Sequence, residues 1–198
     1  VIEAAALTIG MAVGVETPSS FFLMRLPDGR ALIFADCAVN VAPDAAQLAD
    51  IARASAASAQ ALLGSARLAL LSFSTGDSGA GASVARVRAA SEALRAVGLE
   101  ALGPVQADAA LNPAIAARKG LDAAEPANVL IFPDLDAGNI GYKLIQELAG
   151  AQAIGPFLQG FARPVCDLSR GASVEDIVAA TVLTLAALSI ELWAPLVL

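Results

Sequence analysis

The residues best suited to chemistry lie between Val165 and Val178, in the sequence V-C-D-L-S-R-G-A-S-V-E-D-I-V. A Ser169-Arg170-Gly171 turn precedes an apolar run that predicts a helix. Backbone N–H groups at a helix N-terminus, beside an arginine and a serine hydroxyl, form a site for an anion such as phosphate. An aspartate in the first turn of that helix, Asp176, is placed to act as a base next to the anion.

The same residues also permit a purely structural interpretation. Ser173 and Asp176 have the S-x-x-D spacing of a capping box, in which the two side chains satisfy unpaired N–H groups at the helix start. In that case the carboxylate has no chemical role. The two roles do not exclude each other, and the sequence leaves both open.

Composition narrows the class of protein. The chain has 198 residues, enough for a sizeable core. Its apolar fraction of 57% is raised by alanine, and aromatic residues are few, which favours helices packed on a sheet over a membrane protein. The net charge of −7 and the scattered basic residues argue against a nucleic-acid partner.

The chain contains no histidine. This excludes histidine-based triads and the usual zinc ligand sets, so any proton transfer falls to Asp, Glu, Lys, Tyr or Cys. Cys37 and Cys166 are far apart in sequence, which argues against a metal site or a disulfide framework. We therefore expect no metal and no bound cofactor, and a reducing, cytoplasmic location.

Strands and helices alternate from Leu68 onward, which predicts an α/β fold with a largely parallel sheet and flanking helices. Two apolar runs joined through Pro27-Asp28-Gly29 predict an antiparallel hairpin at the edge of that sheet. Gly155-Pro156 is expected to interrupt the chain. The predicted strands cover 20–26, 30–35, 67–74 and 128–132, and the predicted helices cover 1–11, 43–63, 84–97, 108–118 and 140–149.

Ligands of open α/β sheets bind beyond the carboxyl ends of the strands. Asp134, Gly138 and Asn139 follow a buried strand and are therefore candidate binding residues. The alternative is that they only shape the turn and cap the next helix. The Gly/Ser-rich loop at 75–83 follows another strand, but it lacks the spacing of a P-loop and is interpreted as a flexible connection.

The last run, 177–198, carries a single charge, Glu191. We interpret it as a buried helix that packs on the sheet or on a partner subunit, rather than as a membrane span. The chain begins without a methionine and shows no signal-peptide pattern. We interpret it as a fragment.

Longer motifs carry a family resemblance. Residues 127–183, from A-N-V-L-I-F-P-D-L-D-A-G-N to the S-R-G-A-S-V-E-D motif, closely resemble the C-terminal part of the phosphotransacetylases, in the phosphate acetyl/butyryltransferase group. The likeness continues backwards through D-A-A-L-N-P-A-I-A-A-R-K, L-L-S-F-S-T, F-A-D-C-A-V-N and S-S-F-F-L-M. It covers nearly the whole chain up to about Leu188.

The resemblance implies a two-domain α/β protein related in fold to the isocitrate and isopropylmalate dehydrogenases, with its active site between the domains. Residues 12–155 would form the second domain, and 1–11 and 156–198 would pack with the N-terminal domain. The implied reaction is acetyl-CoA plus phosphate giving acetyl phosphate plus CoA, without a metal. Acetyl-CoA and phosphate would be the partners, and a homodimer is expected.

The resemblance also implies roles for single residues. Asp176 would deprotonate the CoA thiol in the direction of acetyl-CoA synthesis. Ser169 and Arg170, with Gly171 in the same turn, would bind phosphate or stabilise charge on the carbonyl oxygen. Cys37 and the loop from Asp134 through Gly138 to Asn139 would line the cleft.

Two positions depart from the family pattern. Glu3 stands where the family has an arginine associated with phosphate, and Gly76-Asp77 replaces a lysine after F-S-T. Glu3, together with the missing N-terminal domain that the family needs, favours an alternative, a non-catalytic acetyl-CoA-binding regulatory module with the same fold. The intact S-R-G-x-S-V-E-D motif favours the enzyme. A dehydrogenase of the same fold would need a cluster of metal-binding acids, which the sequence lacks.

Overall fold

A computed structural model describes residues 1–189 of the protein as a seven-stranded mixed sheet with helices on both faces. The strands are β1 (Ser19–Arg25), β2 (Ala31–Ala35), β3 (Leu68–Leu71), β4 (Ala101–Val105), β5 (Val129–Ile131), β6 (Gln152–Gln159) and β7 (Val165–Cys166). The helices are α1 (Ile2–Thr8), α2 (Ala45–Leu63), α3 (Ala82–Ala96), α4 (Ala107–Leu111), α5 (Pro113–Arg118), α6 (Leu135–Ala149) and α7 (Val174–Ser189).

The strand order in the sheet is β4-β3-β5-β2-β1-β6-β7. The pairs among β4, β3, β5 and β2 are parallel, and those among β2, β1, β6 and β7 are antiparallel. The predicted α/β class, with a parallel core and flanking helices, is confirmed. The predicted hairpin is β1-β2, but it lies inside the sheet instead of at its edge, because β6 pairs with β1 on the far side.

The interruption predicted at Gly155-Pro156 is wrong, since both residues lie within β6. A strand tolerates proline where the ladder does not need its missing N–H. The register of β6 on β1 shifts between Phe21 and Leu23, opposite this segment, and Gly155 has φ of +135°. The domain boundary predicted after residue 155 therefore falls inside a continuous strand.

Several other elements differ from the prediction: α6 begins at Leu135 and not at 140, and β6 and β7 are not among the predicted strands. The helix predicted over 108–118 is two helices, α4 and α5, because Pro113 begins the second and the Asn112 side chain caps it by accepting from the Ala114 N–H. Strand β4 is also not among the predicted strands. Its sequence, A-L-G-P-V, contains glycine and proline, the residues that normally argue against a strand.

The core occupies both faces of the sheet, because successive strand residues point to opposite sides. In β2, Ile33 belongs to the cluster covered by α2, α3 and α7, whereas Phe34 belongs to the cluster covered by α4 and α6. The sheet is therefore the central layer. The loops that follow its parallel strands emerge at one edge.

The loop after β2 is held by a buried carboxylate. Asp36 accepts the N–H groups of Ala38 (3.0 Å), Val39 (3.2 Å) and Asn40 (2.9 Å), and the Ser20 hydroxyl donates to it as well. Its exposed fraction is 3%. A buried carboxylate is tolerated only when its oxygens are paired in this way. The network fixes the path of the chain through Cys37 to Asn40.

Helix α6 packs directly on this loop at Gly138. A Cβ atom built on Gly138 would lie 2.2 Å from the Asp36 carbonyl oxygen. No real side chain fits at that distance, so the helix can approach the loop this closely only because the position is glycine. The contact sets the distance between α6 and the end of β2.

Helix α7 confirms the helix predicted from residue 177 as far as Ser189, and residues 190–198 lie outside the described residues. Ala180 and Ala187 are buried where α7 packs on the sheet, as predicted, and packing of its exposed face on a partner subunit stays a prediction. Val182 and Leu185 are each 58% exposed. Within residues 1–189, the helices are too short or too polar to cross a membrane.

Substituting Gly138 by alanine tests the close contact between α6 and the Asp36 loop. We expect Gly138→Ala to lower the free energy of unfolding by about 1–3 kcal/mol, the usual cost of overpacking, because the neighbouring atom belongs to the backbone. Denaturant unfolding measures the change. Gly141→Ala, in the same helix, is the control, since its Cβ would meet only the Phe132 side chain, at 3.0 Å. Equal stability of Gly138→Ala and wild type would contradict the contact.

Candidate active site

Two adjoining cavities lie between β1, β6, helix α6 and the loop that joins β7 to α7. The larger has a volume of about 410 Å³ and the smaller about 50 Å³. Both are lined by Phe22, Tyr142, Leu168 and Ser169, which form the boundary between them. The Ser-Arg-Gly turn picked out in the sequence forms part of the wall of both.

Most of the candidate residues meet at these cavities. The larger cavity is lined by Cys37, Asn139, Ser169 and Arg170. The smaller is lined by Ser169, Gly171 and Asp176. Residues separated by more than a hundred positions in the chain are thus brought to one surface.

Asp134 and Gly138 have other positions in the fold. The Asp134 carboxylate caps α6 by accepting the Ala137 N–H at 2.9 Å, and it lies 4.0 Å from the Arg86 guanidinium. The capping alternative considered for this loop therefore holds at Asp134. Gly138 faces Asp36 and acts by allowing the helix to approach. A direct contact of either residue with a ligand stays a prediction.

The turn before α7 leaves an arginine exposed. The Ala172 N–H donates to the Ser169 carbonyl at 3.0 Å, and the Gly171 N–H donates weakly to the Ser169 hydroxyl at 3.4 Å. Among the described residues, the Arg170 guanidinium forms an ion pair with no carboxylate. Its fork of N–H donors therefore remains available for an oxyanion in the larger cavity.

Asp176 combines the two roles that the sequence left open. Its Oδ2 accepts the Ser173 N–H at 3.0 Å, and its own N–H donates to the Ser173 hydroxyl at 3.1 Å, so the capping box is formed. Its Oδ1 accepts from the Gln152 side-chain amide at 3.0 Å. The same carboxylate lines the smaller cavity. The Asp176 side chain therefore caps α7 and also faces the smaller cavity.

These hydrogen bonds determine the ionisation of Asp176. The Gln152 amide, followed by the Ser173 N–H, lowers the pKa of the Asp176 carboxyl below its ordinary value. Donors to a carboxylate favour its charged form. Asp176 is therefore ionised at neutral pH and able to accept a proton, although as a weaker base than an unpaired aspartate.

Cys37 takes part in the site through its backbone carbonyl and not through its thiol. Burial, followed by the charge of Asp36, raises the pKa of the Cys37 thiol well above its ordinary value, so the thiolate needed for a nucleophile is not formed at neutral pH. The Asn139 amide donates to the Cys37 carbonyl at 3.1 Å, and Lys143 donates to the Asn139 oxygen at 3.1 Å. This chain of contacts links α6 to the loop after β2.

Sequence reasoning missed several residues of the site: Phe22, Tyr142, Gln152 and the positioning carboxylate of Asp36. Two of them had a usable signal. Tyr142 is the only tyrosine of the chain and lies three residues after Asn139, on the same helix face. Asp36 directly follows an apolar strand. Gln152 carries no such signal, because its contact with Asp176 depends on how β6 meets α7.

Within the described part of the chain, no group of three or more His, Cys, Asp or Glu side chains is placed to hold a metal ion. The Gly/Ser-rich loop also uses its polar groups internally, since Ser78 contacts Ser74 at 3.1 Å and accepts the Thr75 N–H at 3.0 Å. Arg170 lines the larger cavity and Asp176 lines the smaller one.

Removing the Gln152 amide tests what sets the ionisation of Asp176. We expect Gln152→Ala to raise the pKa of Asp176 towards its ordinary value, because the main donor that stabilises the carboxylate is lost. An NMR titration of the Asp176 carboxyl carbon measures the shift. Gln146→Ala is the matched control, since Gln146 lines the same cavity. An unchanged pKa in Gln152→Ala would show that the amide does not govern the carboxylate.

Comparison with known proteins places the chain in a family. The family model for phosphate acetyl/butaryl transferase matches residues 1–185. The phosphate acetyltransferase of Paracoccus denitrificans is 48% identical over 92% of this chain and 61% of its own length. That of Nitrosomonas europaea is 49% identical over 92% of this chain and 27% of its own length. The chain thus spans between about a quarter and three fifths of these relatives.

Solved structures agree in fold. A phosphotransacetylase from Streptococcus pyogenes superposes with a TM-score of 0.88 at 41% identity, over 95% of this chain and 59% of its own. A branched-chain phosphotransacylase from Enterococcus faecalis, at 24% identity and a TM-score of 0.74, covers 86% of this chain and 65% of its own and shares the fold. The chain belongs to the phosphate acetyl/butyryltransferase family.

Proposed function

We propose that the protein containing this chain transfers an acetyl group reversibly between coenzyme A and inorganic phosphate. The observation that carries the proposal is the arrangement of Arg170, Ser169 and Asp176 on two adjoining cavities. Arg170 provides a cation that can bind an oxyanion, and Asp176 provides a carboxylate that can accept a proton. The names of the relatives, phosphate acetyltransferase and phosphotransacetylase, support the same reaction.

The turn before α7 provides hydrogen-bond donors for both phosphate and the reacting carbonyl group. The Arg170 guanidinium matches phosphate oxygens with two parallel hydrogen bonds, an arrangement that a lysine does not reproduce. The Ser169 hydroxyl lies at the boundary of both cavities and donates to the oxygen on which charge develops. Such donors stabilise the transition state because charge appears there only during reaction.

Asp176 takes the thiol proton in the direction of acetyl-CoA synthesis. The proton of the CoA thiol moves to the carboxylate as the sulfur attacks the carbonyl carbon of acetyl phosphate. The C–S bond forms, the bond from that carbon to the phosphate oxygen breaks, and phosphate leaves with the electron pair. A free thiol has a pKa of about 8.5, so only modest assistance is required. The low basicity of Asp176 suits a proton that is returned in the reverse reaction.

A second candidate is a non-catalytic module that binds acetyl-CoA and regulates another protein. The observation that favours it is Glu3, an exposed acid on α1 where the family has an arginine. An acid in place of that arginine would remove a positive charge from phosphate binding. The module would use the same cavities, so binding alone does not separate the two functions, whereas turnover does.

The domain arrangement expected from the sequence is also a proposal, in which residues 1–11 and 156–198 pack with an N-terminal domain. Exposed apolar side chains on both segments support it. Leu7 on α1 is 88% exposed, and Val178, Val182 and Leu185 form a stripe along α7. Water-exposed stripes of this kind are typical of surfaces covered by another part of the protein.

The remaining partners and the cellular location are also proposals. Acetyl-CoA and phosphate are the substrates of the proposed reaction, with no nucleic acid and no membrane involved. A candidate surface for a homodimer is formed by the exposed residues Ile140, Leu144 and Leu148, which repeat every four positions on α6. The free cysteines Cys37 and Cys166 support a cytoplasmic location.

Thiol release from acetyl-CoA and phosphate by the full-length protein that contains this chain tests the function. We expect Arg170→Ala and Asp176→Asn each to lower kcat/KM by about 10²-fold or more, the scale of losing a charge-stabilising or acid–base group. Arg95→Ala and Asp122→Asn are the matched controls, since both residues are exposed and distant from the cavities. They should retain the wild-type rate.

The outcomes separate the two candidates. Wild-type rates in both Arg170→Ala and Asp176→Asn would refute the site assignment. A wild-type protein that binds acetyl-CoA but releases no thiol would instead support the regulatory module. A rate that falls equally in the exposed controls would point to loss of folding rather than of catalysis.

A further inference from the structure

The boundary between the two cavities carries two hydroxyl groups. The residues that line both cavities are Phe22, Tyr142, Leu168 and Ser169. Of these, only Tyr142 and Ser169 have a side-chain group that can donate a hydrogen bond. Arg170 lines the larger cavity alone, and Asp176 lines the smaller one alone. Two hydroxyl donors, one on α6 and one on the turn before α7, therefore lie between the cation and the carboxylate.

The hydroxyl of Tyr142 is a donor without a partner in the described part of the chain. Its neighbours on α6 are engaged, since the Asn139 amide donates to the Cys37 carbonyl and Lys143 donates to the Asn139 oxygen. Tyr142 itself is only 8% exposed. A buried hydroxyl of this kind normally has a hydrogen-bond partner, and here the acceptor of a ligand can provide one.

This hydroxyl is also open to the cavities. Among residues 1–189, the one fully enclosed side-chain nitrogen or oxygen that lacks a partner is Nε of Arg86. The Tyr142 oxygen is therefore not sealed inside the protein. Because the residue is otherwise buried and lines both cavities, a molecule that enters them can reach its hydroxyl.

The ring that carries the hydroxyl is held in place. The rings of Tyr142 and Phe22 stack with centroids 4.2 Å apart and planes 23° apart, and both belong to one core cluster. The Lys143 ammonium lies 5.2 Å from the centroid of the same tyrosine ring. The hydroxyl keeps only the rotation about its own C–O bond. A donor positioned in advance needs no reorganisation when charge develops on its acceptor.

The proposed function, on which this step rests, determines which acceptor lies at the boundary. Phosphate binds at Arg170 in the larger cavity and the CoA sulfur lies at Asp176 in the smaller one, so the acyl carbon that passes between them lies at the boundary. As the sulfur attacks the carbonyl carbon of acetyl phosphate, the π electrons of the C=O bond move onto its oxygen. They return when phosphate leaves with its electron pair. Negative charge therefore develops on the carbonyl oxygen beside the two hydroxyls.

We propose that the Tyr142 hydroxyl is a second catalytic hydrogen-bond donor, which stabilises the carbonyl oxygen together with the Ser169 hydroxyl. Tyr142 keeps its proton throughout and only donates a hydrogen bond. The two donors approach the oxygen from α6 and from the turn before α7. Such pairs stabilise the transition state more than the ground state, because the oxygen carries its full charge only during the reaction.

Replacing Tyr142 by phenylalanine in the full-length protein that contains this chain tests the inference, because it removes one oxygen atom and keeps the stacked ring. We expect Tyr142→Phe to lower kcat for acetyl transfer by about 10²-fold, the scale of losing one such donor. The KM values for acetyl-CoA and for phosphate should stay close to those of wild type. A loss confined to kcat marks an interaction made in the transition state.

Two controls separate this loss from a defect in folding. Ser91→Ala removes another buried hydroxyl, which donates to the Val87 carbonyl within α3 at 3.1 Å and lines neither cavity. This variant should keep the wild-type kcat. Denaturant unfolding of Tyr142→Phe should match that of wild type, since the stacking on Phe22 is retained.

The outcomes distinguish this inference from the proposed function. If wild type transfers no acetyl group, the proposed function fails. If wild type is active and Tyr142→Phe keeps its kcat, or changes only a KM, the role of Tyr142 fails alone. A fall in kcat that is matched by Ser91→Ala, or that accompanies a loss of stability, also contradicts it. A lower kcat with unchanged KM values and unchanged unfolding supports it.

Discussion

The buried carboxylate of Asp36 is the constraint on which the site depends. It gathers the N–H groups of residues 38–40 and the Ser20 hydroxyl, and so joins β1 to the loop after β2. Gly138 then allows α6 to approach the same loop. Because α6 carries Asn139 and Tyr142, the network under the loop sets where one wall of both cavities lies. A polar network buried this deeply is costly when one partner is lost, which makes it a rigid foundation.

The opposite wall depends on the start of α7, where one carboxylate has two functions. The capping box of Ser173 and Asp176 stabilises the helix start, and the Gln152 amide ties that start to β6. Both contacts hold Asp176 in a single orientation towards the smaller cavity. The lowered pKa of Asp176 is the consequence of this anchoring. The same hydrogen bonds therefore stabilise the helix start and fix the position of the Asp176 carboxylate. They also make that carboxylate a weaker base.

Local patterns in the sequence predicted most of the elements and the turn that carries Arg170, because capping residues, turn residues and apolar runs act over a few positions. These local patterns failed where contacts between distant parts of the chain determine the structure. Pro156 lies within β6 because β1 shifts register opposite it, and Gly103-Pro104 lies in β4 because β3 pairs with that segment. At Asp134 the sequence leaves helix capping and ligand binding open. The structure shows that its carboxylate caps α6, and its contact with a ligand stays a prediction.

We propose that the turn from Ser169 to Gly171 binds an oxyanion beside Asp176. The most direct measurement is a titration of the ¹⁵N-labelled protein with inorganic phosphate, followed through the amide resonances. We expect saturable shifts at Ser169, Arg170 and Gly171, and their loss in Arg170→Lys, whose ammonium lacks the planar fork of donors. Shifts confined to the Gly/Ser-rich loop at 75–83, with the Ser169–Gly171 turn unaffected, would contradict it.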